Sequence, residues 1–225
     1  MRVRILPVFV ALSLLAACAT TKTGPRADEL SFESSTLFGM IYDMDGQPCP
    51  GVAVSVDGGA GVVTDIRGRF VLQGVARGDH AIAAEKEGYE KLSVRVSFLN
   101  KSDILHLQLT SFKQLLDLAE KALGEKRWGD AAGFLARAQA LKPDDIVLCY
   151  MNAILDFKRG RFDAAVDRLG TIEARGAAEP AVLLLMADIY EKGLGDARKA
   201  SEYLRRYLDL REDEGVRKRL DSLGK

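Results

Sequence analysis

The sequence predicts a multidomain β + α protein: a seven-stranded antiparallel β-sandwich followed by an all-α array of three helix pairs and a capping helix. Three observations carry that reading. Short runs of alternating apolar residues, punctuated by glycine- and aspartate-rich turns, fill residues 37–111. The texture changes to helical periodicity after Ser111. Beyond that point an aromatic, small, apolar pattern recurs with a period of 34 residues, the mark of a repeat architecture.

The chain opens with Arg2 and Arg4, then an apolar run from Ile5 to Ala17 broken by Ser13. That run is shorter than the roughly 20 residues a helix needs to cross a bilayer. Its basic start and small-residue end read as an export signal over residues 1–17. Leu15-Ala16-Ala17-Cys18 resembles the lipobox of bacterial lipoproteins, which are cut just before the cysteine. The resemblance implies that Cys18 becomes a lipid-modified, palmitate-bearing N-terminus. It also implies an outer-membrane address facing the periplasm, because Ala19 rather than Asp follows the cysteine. Residues 18–36 are polar and aperiodic, as a lipidated flexible tether would be. Acidic and basic residues balance at 32 each, and removal of Arg2 and Arg4 would leave a net charge of −2. No strong field is present to draw in nucleic acid or anionic lipid. Membrane contact is therefore expected through the lipid alone.

Strands are expected near residues 37–42, 52–56, 62–64, 69–73, 80–84, 92–98 and 104–108. Alternation is clean at Val52, Val54 and Val56, and again at Leu92, Val94, Val96 and Phe98. Turn chemistry separates the runs: Asp45-Gly46, Asp57-Gly58-Gly59, Arg67-Gly68 and Arg77-Gly78-Asp79. Seven short strands with turns this frequent suggest a sandwich. The order Asp45-Gly46-Gln47-Pro48, Gly51, Thr64-Asp65-x-x-Gly68-x-Phe70, Gly74, Gly78 and Gly88-Tyr89 resembles the carboxypeptidase regulatory-like, prealbumin-type sandwich. Cys49 departs from it, standing where a branched apolar residue is usual.

In the helical part, Leu115, Leu116, Ala119, Ala122 and Leu123 form one wide apolar stripe. Trp128, Ala131, Leu135 and Ala138 recur 34 residues later as Phe162, Ala165, Leu169 and Ile172. Ala200 and Leu204 continue the series after an interval of 35, one residue being added within Glu191–Asp196. Ala119, Ala153 and Ala187 hold the small position of each first helix. The pattern resembles tetratricopeptide repeats, with pairs over 112–145, 146–179 and 180–212 and a capping helix to about 223, all within a repeat domain spanning 112–225. The short junction from Gln108 to Phe112 predicts that the sandwich and the array pack on each other.

Convergent chemistry is scarce. His80 and His106 both fall on expected strands without a zinc-peptidase partner motif. Asp43-x-Asp45-Gly46 lacks the bidentate glutamate of a calcium loop and reads as a hairpin turn. No serine sits in a Gly-x-Ser-x-Gly elbow. Cys49 and Cys149 are expected as two lone, buried thiols. The expectation is a protein that is not an enzyme and uses no metal or cofactor.

The repeat resemblance implies a concave, partner-binding surface built from each first helix. Its lining would be Lys113, Leu116 and Glu120, then Tyr150, Ile154 and Phe157, then Leu184, Asp188 and Glu191. The alternative is that the aromatic stripe of the middle helix packs on the last helix or on the sandwich. The function expected is a lipid-anchored envelope scaffold that binds a protein or peptide partner in this groove. Two other readings stay open: a pilotin-like or outer-membrane assembly accessory, and a glycan- or peptidoglycan-binding lipoprotein using sandwich aromatics among Phe38, Tyr42, Phe70, Tyr89 and Phe98.

Overall fold

The structure, a computed structural model, describes residues 34–177 and 179–224. Cys18, the signal run and the tether up to residue 33 lie outside the described residues. Strands β1 (Ser34–Asp43), β2 (Ala53–Val56), β3 (Val62–Val63), β4 (Arg69–Ala76), β5 (Gly78–Glu85), β6 (Leu92–Phe98) and β7 (Ile104–Leu109) occupy the seven expected runs. They form two sheets, ordered β4-β1-β7 and β3-β2-β5-β6. Ser34, Ser35 and Thr36, expected in the tether, are the first residues of β1. A register shift between Ser35 and Leu37 interrupts the alternation there, which is why the sequence pattern starts late.

One pairing departs from the antiparallel expectation. β1 and β7 run parallel, from Phe38 opposite Ile104 to Asp43 opposite Leu109. The chain leaves this sheet for β5 and β6 before returning at β7, so no tight hairpin dictates the direction of the pair. Between the sheets, Ile41, Val52, Val54, Ile82 and Ala84 are wholly buried, and Cys49 fills core space beside them. Gly39 lies against the Phe70 ring, where a Cβ would come within 2.1 Å of the ring. Buried Thr64 joins neighbouring segments by donating to the Cys49 carbonyl at 2.7 Å and accepting from the Val52 amide at 2.9 Å.

The array pairs α1 (Phe112–Gly124) with α2 (Trp128–Leu141), α3 (Ile146–Lys158) with α4 (Phe162–Ala174), and α5 (Pro180–Asp188) with α6 (Ala197–Leu210); α7 (Glu214–Leu223) closes it. The small positions explain the fit. Ala119, Ala153 and Ala187 on the first helices and Ala131, Ala165 and Ala200 on the second are all wholly buried. The residue added in the third repeat is absorbed by a π turn over Ile189–Gly193, at the end of α5, which lets Ala200 keep its place.

The two domains meet without a linker. Ser111 caps α1 in a reciprocal box with Gln114, whose amide nitrogen also donates to Asp45 of the sandwich at 2.6 Å. Arg137 of α2 grips Glu90 through both carboxylate oxygens, at 2.8 and 2.5 Å, which holds the Glu90 carboxyl below its usual range. The Phe112 amide donates to the Gly88 carbonyl at 2.8 Å. The expected packing of sandwich on array is thus present.

Candidate partner-binding groove

Side by side, α1 and α3 leave a trough of about 470 Å3. Its floor and walls are apolar: Leu123 from α1, and Val147, Tyr150, Met151 and Ile154 from α3. Glu120 and Gly124 border it on α1, and Lys158 on α3. The α3 wall follows helix geometry, since Val147, Tyr150 and Ile154 stand at i, i+3 and i+7 on one face. Asp145 caps that helix by accepting from the Leu148 amide at 3.0 Å. Val147 is 54% exposed, and among the described residues nothing covers it. Tyr150 spans to the third repeat, its hydroxyl donating to the Ala181 carbonyl at 3.4 Å. Burial, and then the nearby Asp188 carboxylate, push the Tyr150 hydroxyl above its usual pKa, so it stays neutral.

Of the lining expected from sequence, Glu120, Tyr150 and Ile154 come together in this trough. The others do not. Leu116 is partly buried against the first-repeat core, and Lys113 pairs with Asp117 at 2.7 Å on the exposed side of α1. Phe157 turns onto Phe162, their rings 6.0 Å apart and tilted by 54°, so it serves the second-repeat core. Leu184 packs onto the third-repeat core, the same cluster that takes Leu220 and Leu223 of α7. Arg219 of α7 donates to Asp188 at 2.6 Å and to Glu191 at 2.7 Å. The third-repeat part of the expected surface is therefore occupied by the last helix, because α7 needs an apolar and acidic face to rest on. Val147, Leu123, Met151 and Lys158 were not anticipated from sequence. On α3 the signal was readable, since Val147, Met151, Ile154 and Lys158 stand at i, i+4, i+7 and i+11 on one helix face.

Cys49 and Cys149 are both free thiols. Cys149 is half-buried, not buried as expected, and faces a cleft of about 270 Å3 with Arg168 and Arg175. Desolvation still raises its pKa against the pull of those arginines, which leaves it a weak nucleophile. Asp43 accepts from the amides of Asp45 and Gln47 at 2.9 and 2.8 Å, the geometry of a tight turn. His80 has more than a strand residue's ordinary bonding. Its Nδ1 lies 2.6 Å from Asp57 Oδ2 and its Nε2 lies 2.8 Å from the Ala76 carbonyl. Two acceptors flank one imidazole, which favours the doubly protonated ring and raises its pKa, the Asp57 bond first. Of the sandwich aromatics, Phe70 and Phe98 fill the core and Tyr89 sits at the domain junction. Phe38 and Tyr42 remain on the outer face of the β4-β1-β7 sheet, Tyr42 stacked on His106 at 6.2 Å.

Two family models match this chain in the order of its two domains. Residues 36–110 match the carboxypeptidase regulatory-like domain, and residues 122–189 match the tetratricopeptide repeat. Among curated proteins none matches the chain. Of solved structures, the tetratricopeptide domain of Arabidopsis OM64 is similar at 16% identity and a TM-score of 0.45, over 50% of this chain and 93% of that one. The N-terminal domain of stress-induced protein-1 from C. elegans gives 19% and 0.43, over 51% and 94%. For 3-chlorocatechol 1,2-dioxygenase from Rhodococcus opacus the values are 14% and 0.30, over 39% and 63%.

Proposed function

We propose, for a chain that carries a carboxypeptidase regulatory-like domain followed by a tetratricopeptide repeat domain, that it is a lipid-anchored scaffold of the bacterial envelope. Its groove between α1 and α3 takes a protein or peptide partner, and the protein performs no catalysis of its own. One observation carries the reading: an apolar trough walled by Val147, Tyr150 and Ile154 that no described residue covers. Only the area still exposed counts towards binding: Tyr150 and Ile154 already pack partly on the repeat core, so Val147, 54% exposed, has the most apolar surface left to offer a ligand. The trough suits an apolar ridge such as one face of a helix, with Glu120 and Lys158 available to opposite charges at its borders. Support for the anchor is the Leu15-Ala16-Ala17-Cys18 segment, and Ala19 supports an outer-membrane address. The 16 Cα-to-Cα steps from Cys18 to Ser34 can span at most about 58 Å, which bounds the reach of the body from the proposed anchor.

Two experiments test it. Purified wild-type protein should capture a partner from envelope extracts, and Val147→Glu with Ile154→Glu should lose that partner while circular dichroism stays unchanged. Equal capture by both proteins would remove the groove from consideration. Cys18→Ser should abolish incorporation of labelled palmitate and leave the chain uncleaved or mislocalised; palmitate labelling that survives the change would defeat the anchoring. Co-purification of a secretin or an outer-membrane barrel would narrow the scaffold to a pilotin-like or assembly role. A glycan-binding role has less support, since only Phe38 and Tyr42 of the sandwich aromatics face outward.

A further inference from the structure

We infer that the outer face of the β4-β1-β7 sheet is a contact between two copies of this chain. The observation is a row of three apolar side chains in register across all three strands. Phe38 of β1 is the Cα partner of both Val71 of β4 and Ile104 of β7. These residues point away from the sandwich and are 47%, 42% and 55% exposed. Neighbouring outward positions on the edge strands are Arg69, Gln73, His106 and Gln108, the polar exterior that a one-sided sheet calls for. The row breaks that rule. It borders an open hollow of about 710 Å3 that Met40 and Val63 extend, and among the described residues nothing covers it.

The occupant follows from shape and charge. The row is symmetric about its centre, with one β-branched side chain on each side of a phenylalanine. A twofold axis parallel to β1 sets Phe38 on the partner's Phe38 and each Val71 against an Ile104, so the surface complements itself. Face-to-face sheets pack in this way at about 10 Å. The rim holds both signs. Arg69 and Asp65 are joined by two hydrogen bonds at 2.8 and 2.7 Å and Lys101 lines the same hollow, so the rim is mixed and carries at most one net charge. A patch of a few hundred Å2 is smaller than the roughly 800 Å2 per partner of a stable complex. The contact is accordingly weak and forms where copies are concentrated on a shared surface, which rests on the lipid anchor proposed above and is checked separately by the palmitate labelling of Cys18. It is separate from the α1–α3 groove and stands or falls independently of it.

The test uses the full chain in its native membrane, in two epitope-tagged forms expressed together. Photoreactive p-benzoylphenylalanine at position 38 should give, on illumination, a species of twice the monomer mass carrying both tags. Val71→Glu in both copies should cut that yield about tenfold, because pairing would bury an unpaired carboxylate. Ile104→Glu, on the opposite strand and also exposed, should do the same, so the result does not hang on one variant folding. A crosslink confined to one chain, a crosslink only to another protein, no crosslink, or an undiminished yield in both variants would each overturn the dimer.

Discussion

The concave face of the second repeat and that of the third start from the same geometry and end differently. Tyr150 and Ile154 on α3 correspond in register to Leu184 and Asp188 on α5. On α3 that stripe borders an open trough. On α5 it is covered: Leu184 joins the cluster that seats α7, while Asp188 and Glu191 hold Arg219. Repeat geometry thus offers a surface at every first helix, but the surface stays available only where no later element needs it. Chemistry decides which. The third face carries two carboxylates that a basic, amphipathic last helix can satisfy, whereas the second presents valine, tyrosine and isoleucine with nothing charged at its centre.

The sharpest way to break this comparison is to weaken the closed face from beneath. Leu204 is wholly buried in the cluster that carries α7. Leu204→Ala should cost about 2–5 kcal/mol, as large-to-small core changes do. In a stacked array each repeat touches only its neighbours, so the loss should stay local. Hydrogen exchange should show α6 and α7 deprotected while α1 to α3 keep their protection. Uniform deprotection would mean that the open and closed faces belong to one cooperative unit.

A smaller change acts on the lid itself. Arg219 is mostly buried and satisfies Asp188 and Glu191, each less than a third exposed. Arg219→Ala leaves Glu191 without its cation and Asp188 with only the exposed Lys192, 2.9 Å away, at a cost of about 1 kcal/mol once partial solvent access is allowed for. The expected readout is faster proteolysis beyond Leu210 together with an unchanged α1–α3 trough. If the cut rate does not move, apolar packing of Val216, Leu220 and Leu223 alone holds α7, and charge is not what closes the third face.

Much of this architecture was legible because burial in it is periodic. Val52 and Val54 point inward at a period of two, and the alanine pairs recur every 34 or 35 residues with all six buried. The capping box at Ser111 and Gln114 also leaves a sequence trace. What escaped the sequence depends on contacts between residues distant along the chain. Arg219 meets Asp188 and Glu191 from 31 and 28 positions away, and no local pattern records that. Phe157 occupies a lining position on the helical wheel, yet Phe162 of the next helix turns it inward. The parallel pairing of β1 with β7 depends on the route taken through the other sheet, which alternation within single strands does not encode. Gln114 illustrates both cases at once: its cap is local, while its bond to Asp45 spans 69 positions.

The smallest effect serves as a control, because it should touch neither concave face. His80 ties the start of the β2–β3 loop to the β4–β5 corner through Asp57 and the Ala76 carbonyl, with Asp79 adding a further negative charge nearby. Its folded pKa is raised above the ordinary value near 6.5, so the stabilisation is fully present below that value and is lost as pH rises through the folded pKa. The Asp57 carboxyl is lowered, chiefly by its bond to His80, so its contribution is present above the ordinary carboxylate range and fades as pH falls through the lowered value. The clip is thus complete in the window between the ordinary pKa values of Asp and His. Within it, wild-type protein should melt at a higher temperature than His80→Gln, and the gap should close as the buffer is taken alkaline. Over the same titration, hydrogen exchange should change at Asp57 to Gly61 and stay constant along α1, α3 and α5. Should the trough respond to pH as well, the Gln114–Asp45 and Arg137–Glu90 ties would be transmitting sandwich strain into the array, and the open face would owe its shape to the sandwich as much as to the repeats.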